Sequence, residues 1–447
     1  MEATVTAPET LLRILTTNDF LGSYFAHPTS YGTYPGAGAL THTIDRLREG
    51  ARHSLWIDAG DFAQGPLAYV MGGHAGFTAA ASLGIDVAVP GNHEFDWGER
   101  QLREWGPATG FPLLLGNYDL GFPSHTVFSF SGIGVGVIGL THPDIERFTG
   151  PLALAQSPAP EVIPEIAQLL RSNGADVVVL TVHDGVDWVS MCCGPPRADH
   201  KRITEFTEAM RPHADIIIGG HTLGRHIGQI AGVPYLQPWA LGSEVGVLDL
   251  RADLTHSCYG ITPSGGHVDW TGPGHELHVG QAANIVGELR ESLRWQPRQN
   301  NSLGHTVAKG LTMITETDAA LVGAINTSQA PLDGVFSFLP RGTLSEAELL
   351  HVTGRTARVM ACEVSRAELD ALRDTATGKN TLSDDVTLNI ENLGGLGMSL
   401  PDAPRRPVVS LATEAHLVAS VERALDREVE WTPVQATLPE ALLAAIN

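Results

Sequence analysis

Six short apolar runs, each ending in a polar cluster, constrain the fold of this chain more than any other feature. The runs are LLRILTTND (11–19), SLWIDAGD (54–61), IDVAVPGNHE (85–94), GVGVIGLTH (134–142), ADVVVLTVHDG (175–185) and ADIIIGGHT (214–222). Runs without polar alternation suit strands that are buried on both faces. Helical patterns lie between several of them, such as LTHTIDRLREG (40–50) and VIPEIAQLLRSNG (162–174). The sequence therefore predicts a layered α/β domain.

The pattern changes near residue 270, where the buried runs stop. The segment GQAANIVGELRESLRWQPRQ (280–299) predicts an amphipathic helix that ends in a polar, proline-containing loop. Strands and helices alternate less regularly after it. We therefore expect a first domain over residues 1–270, a linker helix and loop over 271–303, and a smaller α/β domain over 304–447.

The composition argues against two classes of partner. The chain has 50 aspartate and glutamate residues against 28 lysine and arginine residues, and its net charge of −22 repels nucleic acid. No run reaches the roughly 18 apolar residues that a membrane span needs. The opening MEATVTAPETLLR has neither the basic start nor the apolar core of a signal peptide. We expect a globular cytoplasmic protein that binds neither nucleic acid nor membrane.

Five polar side chains stand where buried runs end: Asp19, Asp61, Asn92, His183 and His221. Taken alone, each has an ordinary structural explanation, because an aspartate caps a helix, a Gly-Asn pair makes a turn, and a histidine packs in a core. Loops at the ends of neighbouring strands converge in an open α/β sheet, however. Five such side chains in five loops therefore predict one shared site, and their mixed oxygen and nitrogen atoms suit a transition metal.

The order of these motifs resembles the calcineurin-like metallophosphoesterases, and within them the 5'-nucleotidase branch. The matching stretches are ILTTND (14–19), DAGDFAQG (58–65), GNHEFDWG (91–98), TVHDGV (181–186) and GGHT (219–222). SLGHTV (302–307) is similar to the start of that branch's C-terminal domain. The resemblance implies a layered α/β/β/α metallophosphoesterase catalytic domain, followed by a smaller α/β, 5'-nucleotidase-like domain that binds substrate.

The resemblance also implies a metal centre. In the family two divalent metals share a carboxylate, polarise a phosphoryl group and activate a water molecule that attacks phosphorus. By this analogy Asp61 bridges the metals and Asp19 belongs to one shell. Asn92, His183 and His221 complete the other shell. Manganese, zinc and iron fit such a mixed ligand set.

The same analogy assigns a catalytic dyad within GNHEFDWG. His93 is the predicted catalytic residue, which stabilises the phosphoryl oxygens or protonates the leaving group. Asp96 orients its imidazole ring. One tight turn would thus deliver both a metal ligand and the dyad.

Two leucines depart from the family pattern. Leu21 and Leu223 stand where the family has ligands of the same metal, whereas the other shell is complete. His27, His142 and His226 are alternative ligands for the depleted shell. The sequence therefore predicts one complete divalent-metal site and leaves the second site in question.

The C-terminal domain lacks the family's substrate-binding signatures. Phe336, Phe338, Arg341 and Arg355 are the remaining candidates for substrate binding, although a Phe-x-Phe strand is more often part of a core. We expect a metal-dependent phosphohydrolase, a 5'-nucleotidase-like phosphomonoesterase, acting on a small phosphorylated metabolite such as a nucleotide or a nucleoside-like compound. The alternatives are a repurposed relative that catalyses a different hydrolysis or an elimination, and a catalytically weakened protein that binds a ligand.

Overall fold

The computed structural model describes residues 10–29, 32–149, 152–189, 197–263, 270–294, 302–322, 338–353, 359–376, 397–399, 407–414 and 418–447. These residues form two compact units. The first unit comprises residues 1–26 and 35–274, and the second comprises residues 27–34 and 275–447. Within the described ranges no helix combines the length and apolar composition required to span a bilayer.

The described residues form 24 strands and 13 α-helices. The strands are β1 (Leu12–Thr17), β2 (His27–Thr29), β3 (Gly32–Tyr34), β4 (His53–Asp58), β5 (Val87–Ala88), β6 (His125–Phe130), β7 (Ile133–Leu140), β8 (Val177–Val182), β9 (Asp187–Val189), β10 (Arg197–Asp199), β11 (Ile216–Ile218), β12 (His226–Ile230), β13 (Val233–Gln237), β14 (Val245–Leu250), β15 (His256–Ile261), β16 (Ile285–Leu289), β17 (Leu293–Arg294), β18 (Ala319–Val322), β19 (Phe338–Leu339), β20 (Gly342–Ser345), β21 (Val359–Ser365), β22 (Gly397–Ser399), β23 (Val408–Glu414) and β24 (Thr432–Val434). The α-helices are α1 (Gly36–Glu49), α2 (Pro66–Met71), α3 (Gly73–Ala80), α4 (Glu99–Trp105), α5 (Glu146–Thr149), α6 (Ala159–Ser172), α7 (Lys201–Met210), α8 (His275–Ala283), α9 (Ser302–Thr315), α10 (Glu346–Thr353), α11 (Arg366–Ala376), α12 (Val418–Leu425) and α13 (Leu438–Ile446).

Two sheets pack face to face in the first unit. One has the strand order β15-β14-β1-β4-β5 and the other β12-β13-β11-β8-β7-β6. Buried side chains from both sheets share a single core, in which Ile14 and Ile57 of the first sheet lie with Val137, Val179 and Ile218 of the second. The apolar runs of the sequence fill this core because their side chains are buried on both faces of each strand.

Helices cover the outer faces of these sheets. Ile163 and Leu170 of α6 and Ile203 of α7 pack against β7, β8 and β11. On the other side, Arg13 of β1 donates a hydrogen bond to the carbonyl of Leu47 in α1, at 2.8 Å. The predicted layered α/β/β/α architecture is confirmed.

Parallel pairing sets where the polar loops lie. β4 pairs with β1 and β5 in parallel, and β8 pairs in parallel with β7 and β11. The carboxyl ends of parallel neighbours meet at one edge of their sheet. The loops after β4, β5, β8 and β11 therefore emerge together, and these loops carry the predicted ligands.

The second unit contains a five-stranded sheet of order β22-β18-β23-β21-β24. Its core includes Leu311 of α9, Leu442 of α13 and Val359 of β21. The stretch expected to form a linker helix instead belongs to this unit, because α8 ends at Ala283 and β16 pairs with β20. β-Branched side chains and a glycine at 285–287 weaken the helix, and Leu289 is buried in the unit's core.

Two helical glycines of the second unit provide a stability prediction. A Cβ on Gly310 of α9 would lie 1.6 Å from the carbonyl oxygen of Ala441, whereas a Cβ on Gly280 of α8 meets no atom within 4 Å. We expect Gly310→Ala to lower the free energy of unfolding by about 1–3 kcal/mol through overpacking. Gly280→Ala, the matched control, should raise it by about 0.5–1 kcal/mol because alanine favours helix. Calorimetry of the intact chain checks this, and equal melting temperatures would contradict the tight contact between α9 and α13.

Candidate metal centre and catalytic dyad

Four predicted ligand side chains converge at the carboxyl ends of the central strands. Nε2 of His183 lies 3.2 Å from Oδ2 of Asp61 and 3.2 Å from Oδ1 of Asn92, and that amide oxygen lies 2.8 Å from Nδ1 of His221. Metal bonds of 2.0–2.2 Å in a tetrahedral site would separate neighbouring ligand atoms by roughly 3.3–3.6 Å. The observed spacing is slightly tighter, so a small outward shift of these side chains would accommodate one divalent ion.

Hydrogen bonds outside the cluster orient its histidines. Nδ1 of His183 donates to the carbonyl of Ala59 at 2.6 Å, which leaves Nε2 as the nitrogen that faces the other ligand atoms. A backbone acceptor of this kind fixes the tautomer of a metal-binding histidine. The backbone N–H of His221 donates to Oδ2 of Asp19 at 2.8 Å. Asp19 therefore reaches the cluster through the backbone that carries His221.

The loops that hold the ligands have unusual backbone conformations. Asp61 has φ +60°, His221 has φ +70°, and Asp19 has φ +47°. The left-handed region is uncommon outside glycine, and aspartate and histidine enter it more readily than most residues. A Cβ on Gly91 would lie 2.1 Å from Oδ1 of Asp61, so the glycine before Asn92 is required for the close approach of the two loops.

Charges in the cluster favour metal ligation. Burial would raise the pKa of Asp61, but His183 and His93 outweigh burial and lower it well below its ordinary value. Burial would lower the pKa of His183, but Asp61 outweighs it and raises that pKa to about 10. Burial and the neighbouring His183 together lower the pKa of His221, which keeps that ring neutral. Asp61 and His183 thus form a buried ion pair in which a divalent cation would replace the proton.

The predicted dyad lies on the more open side of the cluster. Nδ1 of His93 is 3.0 Å from Oδ2 of Asp96, and their side chains are 30% and 24% exposed, against 0% for His183 and 4% for Asp61. Burial lowers the pKa of His93, but the carboxylates of Asp96 and Asp61 raise it to about 10. The amide of Gln64, which the sequence did not single out, lies 2.8 Å from the same Nδ1. His93 is therefore a partly exposed imidazole whose Nδ1 faces both Asp96 and Gln64.

The depleted shell is the set of ligands predicted for the second metal, and only carboxylate side chains remain at its predicted positions. Leu21 is buried, and Leu21 and Leu223 have φ +48° and +53°. Oδ1 of Asp19 is buried without a hydrogen-bond partner among the described residues, and burial raises the pKa of Asp19 to about 8, against the opposing effect of His183. Leucine has no atom that binds a metal. The predicted second metal site therefore keeps only Asp19 and, as a ligand shared with the first metal, Asp61.

Two of the three alternative histidines have described contacts of their own, and the ring of His142 lies 4.6 Å from that of His221. Nδ1 of His142 accepts a hydrogen bond from the backbone N–H of Asp144 at 2.9 Å, which places the ring proton on Nε2. The ring of His226 packs against His200 and Tyr235. The side chain of His27 lies outside the described residues.

Two of the four substrate candidates of the second unit, Phe338 and Arg341, are among the described residues. The guanidinium of Arg294 covers the ring of Phe338, 4.9 Å from its centroid, so that this face is unavailable for stacking on a base. Arg341 is exposed, and its backbone N–H donates to the hydroxyl of Ser292. Phe336 and Arg355 lie outside the described residues.

Sequence reasoning assigned no role to Glu94. Its side chain is buried, and its two carboxylate oxygens accept four backbone N–H hydrogen bonds, from Asp61, Phe62, Ala63 and Gly91. The sequence offered one signal for such a role, which is the position of this acidic residue between the predicted catalytic His93 and the apolar Phe95. Its partners depend on the loop conformations, which the sequence pattern does not specify.

The fold and the ligand cluster define the class of the first unit as a layered phosphoesterase-type domain with a potential divalent-metal centre. Residues 12–225 match the family model of the calcineurin-like phosphoesterases. This region of the chain is similar to that family, and the relatives below confirm its resemblance to the 5'-nucleotidase branch.

Two similar sequences are a bacterial 5'-nucleotidase and a protein named UshA. A 5'-nucleotidase of Vibrio cholerae is 30% identical over 192 residues, which cover 39% of this chain and 34% of that protein. Protein UshA of Yersinia enterocolitica is 26% identical over 227 residues, covering 47% of this chain and 40% of that protein. The aligned part of this chain thus spans about a third to two fifths of the length of these relatives.

Solved structures share the fold over almost the whole chain. A 5'-nucleotidase precursor from Thermus thermophilus superposes with a TM-score of 0.72 at 17% identity, covering 97% of this chain and 96% of that one. A sulfate thiohydrolase, SoxB, from the same organism also gives a TM-score of 0.72, at 16% identity, covering 99% and 94%. At this identity the likeness establishes the fold, including a smaller C-terminal α/β domain.

Proposed function

We propose that this chain is a divalent-metal-dependent phosphomonoesterase that acts on a small phosphorylated metabolite. The observation that carries the proposal is the convergence of one carboxylate, one amide and two imidazoles beside a more exposed His-Asp dyad. The match of residues 12–225 to the phosphoesterase family model supports the reaction class. The nucleotidase relatives make a nucleoside monophosphate the first substrate to test.

The proposal gives each side chain one task. Asp61, Asn92, His183 and His221 would hold the ion, and a bound divalent ion supplies Lewis-acid polarisation of a phosphoryl oxygen and acidifies water. The ring of His93 is partly exposed and paired with Asp96, so it would donate a proton to the leaving-group oxygen as a general acid.

The experiment is a substrate screen with the intact chain purified without chelators. We expect added manganese, zinc or iron to support hydrolysis of at least one nucleoside monophosphate or sugar phosphate, and chelation to abolish it. Turnover of no phosphomonoester with any of these metals would overturn the proposal. It would favour the repurposed or ligand-binding alternatives. The cytoplasmic location and the absence of nucleic-acid and membrane partners stay predictions from the sequence.

The proposal also covers the number of metal ions that the site binds. We propose one tightly bound ion, because Leu21 and Leu223 supply no donor to the depleted shell. We expect Leu21→His with Leu223→His to create a second site, since histidine tolerates the left-handed backbone that both positions already have. Two ions about 3.5–4 Å apart would stabilise both attacking and leaving oxygens, so activity toward p-nitrophenyl phosphate should rise.

The readouts are the bound metal equivalents and the melting temperature with and without manganese. Leu254→His is the matched control, because this leucine also has a left-handed backbone, φ +62°, but its side chain is 50% exposed. The wild type and this control should each hold one equivalent. Two equivalents in the wild type would disprove the single-ion proposal. One equivalent in the double variant, with no further manganese-dependent rise in melting temperature, would refute the latent second site.

A further inference from the structure

The carboxylate of Glu94 joins the two loops that supply the oxygen ligands of the metal centre. Its Oε2 accepts the N–H groups of Asp61 at 2.8 Å and Gly91 at 2.7 Å. Its Oε1 accepts the N–H groups of Phe62 and Ala63, each at 2.9 Å. All four contacts are backbone N–H donors, so Glu94 is the acceptor in each of them.

The position of this carboxylate rules out direct contact with substrate. Glu94 is 1% exposed, whereas its neighbour His93 carries the accessible ring. One loop bound by Glu94 holds Asp61, and the other holds Gly91 and then Asn92. A further bond, from the N–H of His93 to Oδ1 of Asp61 at 2.8 Å, ties the same loops together.

The backbone that Glu94 holds is strained. Asp61 has φ +60°, and a Cβ on Gly60 would lie 2.6 Å from the backbone nitrogen of Gly91. A residue other than glycine keeps a left-handed backbone conformation where the surrounding contacts hold it there. Hydrogen bonds to an ionised acceptor are stronger than neutral ones, so four of them stabilise this conformation.

We propose that Glu94 is a positioning residue that sets the separation of the metal ligands Asp61 and Asn92 by binding the backbones of both loops. The inference rests on the proposed metal-dependent function. The residue acts through the backbone and leaves substrate binding to other groups. Its loss should therefore change metal affinity first and turnover as a consequence.

The test substitution is Glu94→Gln in the intact chain. Glutamine keeps the size of the side chain but replaces one oxygen with an NH₂ group, which opposes two backbone N–H donors in either orientation. We expect the dissociation constant for Mn²⁺ to rise by about 10- to 100-fold, as is usual when a group supporting metal ligands is altered. Turnover at low Mn²⁺ should fall, rise again at saturating Mn²⁺, and leave KM for the phosphorylated substrate unchanged.

Glu348→Gln provides a matched control in the second unit, because Oε2 of Glu348 also accepts a backbone N–H, that of Ser345 at 2.9 Å. Both variants should lower the melting temperature, but only Glu94→Gln should weaken Mn²⁺ binding. A folded Glu94→Gln protein that binds Mn²⁺ with wild-type affinity would disprove the positioning role. If this variant does not fold, Glu94→Asp undergoes the same titration, because its shorter side chain cannot reach both loops, and wild-type affinity there would also disprove it.

The Mn²⁺ titration separates this inference from the proposed function. A wild-type chain that binds Mn²⁺ without hydrolysing any phosphomonoester would refute the proposed function, while the comparison of Glu94→Gln with Glu348→Gln would still decide the positioning role. A wild-type chain that binds no divalent metal would refute both.

Discussion

Replacing His93 with alanine is expected to lower turnover by about 10²- to 10⁴-fold, the contribution of a general acid, while the bound metal stays in place. The physical reason is that different side chains of the site donate the proton and bind the metal. The ring of His93 is partly exposed beside Asp96, whereas the side chains of Asp61 and His183 lie deeper. Steady-state kinetics together with metal analysis of the same sample measure both quantities.

His125→Ala is the control for this experiment, because His125 lies on β6 and its Nδ1 lies 2.8 Å from the hydroxyl of its neighbour Ser124. It should leave turnover and metal content close to wild type. Unchanged turnover in His93→Ala would remove this residue from the mechanism. A loss of metal in that variant would instead assign it a structural part in the ligand cluster.

Replacing His183 with alanine is expected to remove the tightly bound ion and to lower turnover by about 10³-fold or more, since a metal supplies several kcal/mol of transition-state stabilisation. His183 has a fully buried side chain whose Nε2 contacts both Asp61 and Asn92. Its loss leaves the Asp61 carboxylate buried without its partner, so the melting temperature should fall as well.

Metal analysis and activity at saturating manganese check this expectation. His226→Ala is the comparison, because His226 is another partly buried histidine of the first unit, and its ring packs on His200 and Tyr235. That variant should retain the metal. A full metal equivalent retained by His183→Ala would show that the ion is held elsewhere, and the ligand set proposed here would be wrong.

The strands and the ligand cluster were predictable because both depend on local pattern. Buried strands need uninterrupted apolar runs, and parallel strands deliver the residues after them to one edge. His183 and His221 follow such runs directly, so their convergence in space follows from the sequence. Asn92 and Asp61 follow runs in the same way.

Other features depend on contacts that no local pattern records. The role of Glu94 requires four backbone N–H groups to point at one carboxylate, and that geometry exists only once both loops are folded. The stretch 285–289 has an apolar spacing that suits a helix as well as a strand, and pairing with β20 decides between them. Phe338 was predicted only as a candidate for substrate binding, and the position of the Arg294 guanidinium over one face of its ring depends on tertiary structure.

The assignment of residues 27–34 to the second unit has a consequence for recombination. Both flanking segments, up to residue 26 and from residue 35, belong to the first unit, so the sequence of one unit interrupts that of the other. A chimera that exchanged only residues 275–447 with a relative would keep the β2–β3 hairpin of the original parent inside a foreign C-terminal unit. Evolution and protein engineering can therefore exchange this unit cleanly only by replacing two separate segments of the gene at once.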